Sequence, residues 1–131
     1  SSHDVQDGIL KQDDPRINEW YRDYDKMFRI NHTSWWKEEL PSEEEMTEGM
    51  MNLKQNGLQV DYIITHSPYA SVLCQMDQGS GVYKTDILTD YLQEIKESVE
   101  YKKWFFGHMH VNQNFPGDNA IAIYEQIIRI L

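Results

Sequence analysis

The sequence predicts an α/β domain, and three observations carry that prediction. Two apolar runs, Val60-Asp61-Tyr62-Ile63-Ile64-Thr65 and Trp104-Phe105-Phe106, have the length and composition of buried strands. Each ends at histidine: His66 after the first, and His108 and His110 after Gly107 in the second. Between and before the runs lie segments with apolar residues at helical spacing. Two buried strands that deliver histidines from their C-terminal ends suit a site at the rim of an α/β sheet.

The N-terminal residues 1–14 are polar, and Asp13-Asp14-Pro15 reads as a turn or helix start. Ile17, Trp20, Tyr21, Tyr24 and Phe28 recur at helical spacing and predict a helix over 16–28. Such an aromatic stripe reads as a packing face. His32 follows in a loop as a structural histidine, and Trp35 and Trp36 read as residues packed against the core. Pro41-Ser42-Glu43-Glu44-Glu45 is a strong helix start. Ser42 can cap, Glu45 is spaced to close a capping box, and the acidic run lies at the positive end of the helix dipole. Met46, Met50 and Leu53 form its apolar stripe, and Asn56-Gly57 ends it.

After His66, residues 67–82 read as a loop with a short helix near 69–75. Asp77, Gly79 and Gly81 supply its turn chemistry. A helix over 85–98 is marked by Ile87, Leu88, Tyr91, Leu92 and Ile95. The strand to His108 follows. Asn114-Phe115-Pro116-Gly117-Asp118-Asn119 reads as a turn, and the Ile-rich residues 120–130 as a closing strand through Ile121, Ile123 and Ile127. No internal boundary divides the chain, so residues 1–131 are expected to form a single unit.

His-x-His is a pattern with chemistry in it. In extended backbone, His108 and His110 would point to one side, about 6.5–7 Å apart along the strand. Imidazole is a common metal ligand, and Gly107 lets the chain turn or a ligand approach. Charge limits the partners: a formal net charge of −10 disfavours a nucleic-acid backbone, which binds basic surfaces. No apolar stretch is long enough to cross a bilayer and no signal peptide is visible. The lone Cys74 fits a cytoplasmic location.

Ile63-Ile64-Thr65-His66 and Phe106-Gly107-His108-Met109-His110 resemble the last two signature motifs of the calcineurin-like metallophosphoesterases. Ser34-Trp35-Trp36-Lys37-Glu38-Glu39-Leu40-Pro41-Ser42 is similar to a Ser-Trp-Trp-x-Glu-Glu-x-Pro-Ser linker in a bacterial and phage-type branch. The family's Asp-x-His, Gly-Asp and Gly-Asn-His motifs have no counterpart as written. The resemblance therefore implies the C-terminal half of the family's αββα two-sheet sandwich, a partial metallophosphoesterase domain. It implies His66 and His108 as ligands of one metal and His110 as a ligand of a second. The cofactors would be two divalent ions, Mn, Fe or Zn, incompletely held by this chain. The substrate would be a phosphate mono- or diester. Ser1-Ser2-His3-Asp4 can be read as a degraded Gly-Asn-His-Asp with His3 as general acid, although a Ser-x-Asp loop of this branch explains it better. A half-sandwich would leave an apolar sheet face, to be covered by the missing N-terminal half or by self-association. The alternative is a non-catalytic metal-binding or interaction half that needs a partner.

Overall fold

The computed structural model describes residues 7–130. Ser1-Ser2-His3-Asp4, and with it the His3 reading, lies outside the described residues. The elements are mixed α and β, as expected, and the larger sheet has four strands, in the spatial order Gln59–Thr65, Glu100–Phe106, Ala120–Ala122 and Gln113–Phe115.

A small parallel pair comes first, β1 (Gly8–Leu10) with β2 (Phe28–Ile30). Neither strand is foreseen by the pattern, because three residues are too few to show a period. The helix expected over 16–28 is reduced to α1 (Ile17–Trp20). Asp23 stops it: its carboxylate accepts from the Asp25 N–H at 3.1 Å and its carbonyl accepts from Lys26 at 3.1 Å. Short polar side chains compete for backbone groups in this way and favour turns over helix interiors. The aromatic stripe still packs, but by a different route. Phe28 returns on β2 and meets Trp20 and Tyr21 edge-on, with ring centroids 5.4 and 5.3 Å away, while Tyr24 is left fully exposed.

Helix α2 (Glu43–Gln55) begins as its sequence dictates. Ser42 Oγ accepts from the Glu45 N–H at 3.2 Å, and the Glu45 carboxylate accepts from the Ser42 N–H at 2.8 Å. Helix α3 (Ala70–Met76) follows β3 (Gln59–Thr65), and α4 (Ile87–Ser98) is capped by Asp86. Strand β4 (Glu100–Phe106) then lies parallel to β3, with Ile63 opposite Trp104 and Thr65 opposite Phe106.

The C-terminal part departs from expectation. Residues 113–115 form strand β5 (Gln113–Phe115) rather than the start of a turn, and β6 (Ala120–Ala122) is antiparallel to it and parallel to β4. The turn between them is a 3₁₀ segment (Pro116–Asp118) closed by Asn119 at φ 51°. The closing strand expected over 120–130 stops at Ala122. Ile123 still donates its N–H to the Phe106 carbonyl at 2.8 Å, but the pairing goes no further and Ile127 is fully exposed.

Met50, Val72, Leu92, Ile95, Trp104 and Phe106 share one core with β5 and β6, so α2, α3 and α4 cover one sheet face. On the opposite face Ile64 is 72% exposed, although its register partner Phe105 is only 5% exposed. Tyr62 lies beside Phe105, with ring centroids 6.3 Å apart, and leaves Ile64 bare. Among the described residues no helix is long and apolar enough to cross a membrane.

Candidate metal centre

Strands β3 and β4 run parallel and end together, so the residues just beyond them meet. The Gly107 N–H donates to the His66 carbonyl at 3.1 Å, which extends the ladder one step past Thr65 and Phe106. The chain then turns sharply, with the Met109 N–H donating to the Gly107 carbonyl at 2.7 Å. His108 and His110 both adopt left-handed backbone, at φ 65° and 52°. The extended His-x-His geometry is thereby overturned: β4 ends at Phe106, and the two histidines do not share a strand face. Non-glycine residues at positive φ are uncommon, and strain of this kind gathers at functional sites. Gly107 itself needs no such freedom. A Cβ there would stand 3.7 Å from the His66 carbonyl, an ordinary contact.

This turn brings Nδ1 of His108 to 3.1 Å from Nε2 of His66, with the rings edge-on and centroids 5.0 Å apart. Two nitrogens each about 2.0–2.1 Å from a shared cation stand about 2.8–3.4 Å apart, from octahedral to tetrahedral geometry. Here the two nitrogens are hydrogen-bonded to each other, one ring donating and the other accepting; with both lone pairs turned toward a cation, the same spacing would suit two ligands of one ion. His110 does not join the pair. Its ring stacks on Tyr124, with centroids 5.0 Å apart. Among the described residues no group of three or more His, Cys, Asp or Glu is arranged to hold a metal. The donor set is a two-imidazole edge, not an enclosed site.

A brace beneath the pair is invisible to motif reading. The Trp104 indole N–H donates to Thr65 Oγ1 at 2.9 Å, and that hydroxyl donates to the Ser67 carbonyl at 2.7 Å. Both bonds hold the turn that carries His66. Trp104 is fully buried, so its N–H has no access to water. The connection needs the β3–β4 register, which puts Thr65 diagonal to Trp104, and nothing in the linear sequence announces it.

Beyond His66 the chain is anchored again. Asp118 accepts from the Tyr69 hydroxyl at 3.1 Å and from Gln75 Nε2 at 2.8 Å, and pairs with Lys96 at 3.2 Å. Partial burial raises the Asp118 pKa, but hydrogen bonds from Gln75, Lys96 and Tyr69 together outweigh it and leave the carboxyl below its ordinary value. Burial, reinforced by the Asp118 charge, pushes the Tyr69 phenol well above its ordinary range. The cluster ties α3 and α4 to the β5–β6 turn.

The histidine pair opens on a cleft of about 350 Å³ between the strand ends and helices α3 and α4. The other residues singled out by sequence lie elsewhere. Trp35 is buried at 7% exposure and Trp36 is exposed, so the two adjacent indoles part company. His32 sits at positive φ with its N–H on the Trp35 carbonyl at 2.8 Å. Comparisons with family models, with curated proteins and with solved structures find no match.

Proposed function

We propose that this chain supplies the histidine edge of a metal-dependent phosphoesterase acting on phosphate mono- or diesters. The observation that carries the reading is the His66–His108 pair, whose facing nitrogens are 3.1 Å apart at the ends of adjacent parallel strands. A divalent cation held there would supply Lewis-acid charge to a phosphoryl group. His66 and His108 would each present one ring nitrogen to it, and the turn at Gly107 keeps the two rings together. Imidazole suits Mn, Fe and Zn alike and does not choose among them. The experiment is hydrolysis of bis-p-nitrophenyl phosphate with and without Mn(II). Metal-stimulated turnover that His108→Ala abolishes supports the reading, and turnover indifferent to both the metal and the variant overturns it.

A second reading is favoured by the bare Ile64, 72% exposed on the sheet face away from α2, α3 and α4. In it the chain is an interaction half that pairs through this face, with a second copy as the simplest partner.

A further inference from the structure

The cleft beside the histidine pair carries chemistry that the histidines leave unused. Leu40, Leu73, Leu88, Leu92 and Met109 give it an apolar wall, and among the described residues Lys84 is the one Lys or Arg that lines it. Lys84 makes no ion pair among the described residues. The two carboxylates that also line the cleft are engaged. Asp86 accepts from the Leu88 and Thr89 N–H groups at 3.0 and 2.9 Å as the cap of α4, and Glu39 is likewise partnered. Among the described residues the cleft therefore combines a leucine and methionine wall, two imidazoles and one lysine without an ion pair, beside the engaged carboxylates of Glu39 and Asp86.

We propose that this cleft takes the organic part of a small phosphoester, a compact ring or short branched chain, with Lys84 meeting an anionic oxygen of the ester. The inference rests on the phosphoesterase reading and narrows its substrate class. Its volume of about 350 Å³ lies at the low end of pockets that enclose small ligands. A polyanionic chain needs a basic track, whereas this protein has a net charge of −10 and, among the described residues, its cleft a single lysine. Leucine side chains offer nothing to a sugar-phosphate backbone and much to an aromatic or branched aliphatic group.

The test uses phenylphosphonate and methylphosphonate, which carry the same anion on a large and a small apolar group and resist hydrolysis. Binding to the full chain is followed by methyl NMR of the leucines and methionines and by calorimetry. Phenylphosphonate should shift the methyls of Leu73, Leu88 and Met109 and bind about tenfold tighter than methylphosphonate. Lys84→Gln, an exposed loop substitution, should weaken both by about fivefold or more. Equal affinity for the two probes, shifts elsewhere in the protein, or an affinity unmoved by Lys84→Gln would each overturn the proposal. A parallel Zn(II) titration, read on the rings of His66 and His108, separates the two ideas. Zinc shifts without a phenyl preference sink the cleft assignment and leave the phosphoesterase reading standing. A phenyl preference in the cleft with unmoved imidazoles upholds the ligand class and removes the metal chemistry.

Discussion

The indole N–H of Trp104 donates to the hydroxyl of Thr65 at 2.9 Å, one residue short of His66 and two short of the carbonyl that the same hydroxyl reaches. A buried donor on β4 thus holds the turn at the end of β3. Thr65→Val keeps the shape and removes the hydroxyl, leaving the Trp104 N–H without a partner inside the core. The expected loss is about 1–3 kcal/mol in urea denaturation. Metal affinity should fall as well, because the His66 turn is no longer pinned. Thr65→Ser restores the hydroxyl and should recover both. A Val variant with unaltered stability would show that the brace holds nothing.

His108 and His110 are two residues apart and are expected to behave differently. His66→Ala or His108→Ala removes half of the imidazole edge, and Mn(II) or Zn(II) binding followed by calorimetry should weaken by tenfold or more (about 1.4 kcal/mol at least). His110→Ala removes a ring that stacks on Tyr124 and should leave that binding within about twofold. Stoichiometry should be one ion. Tight binding of two ions, or a His110→Ala effect equal to that of His108→Ala, would show that the third imidazole belongs to the centre.

The long elements were legible because each obeys a local rule. Ser42 and Glu45 close their box, the stripe of Ile87, Leu88, Tyr91, Leu92 and Ile95 becomes α4, and the apolar runs before His66 and Gly107 become β3 and β4. The convergence of His66 and His108 followed from both strands ending at one sheet rim. Besides the shortened α1 and the strand β5, three further features were not legible. Strands β1 and β2 are too short to carry a period. The positive φ of His108 and His110 arises where β4 lets go of the sheet, so the two-residue repeat assumed for His-x-His had no strand to act on. The end of β6 is set by the reach of its neighbours, which the isoleucines of 123–130 do not encode.

Asp118 makes acid stability a readout of the anchor behind His66. Burial works against its charge, yet the Gln75, Lys96 and Tyr69 contacts prevail and its folded pKa lies below the ordinary 3.8. A carboxyl depressed on folding adds stability that is fully present well above the ordinary pKa and is lost as pH falls through the folded one. Asp118→Asn should cost about 1–3 kcal/mol near neutral pH, through the lost charge-assisted bonds. It should also flatten the decline in stability below about pH 4. Urea midpoints from pH 2.5 to 7 measure both effects. An Asn variant whose acid limb is as steep as the parent's would place that dependence on other carboxyls.

Ile64 tests the pairing of the sheet face. It projects from β3 opposite the helices, beside a Phe105 that is shielded and a Tyr62 that is 37% exposed. Covering an isoleucine of this exposure stabilises an association by about 1.5–3 kcal/mol per side. Because a two-fold interface uses the same patch twice, one substitution acts at two places. Ile64→Lys should leave the monomer's urea midpoint almost unchanged, since the side chain is already largely in water. It should shift sedimentation of a concentrated sample from dimer to monomer. A parent chain that sediments as a monomer at all concentrations would reject self-pairing, and a dimer unaffected by Ile64→Lys would place the contact on another surface.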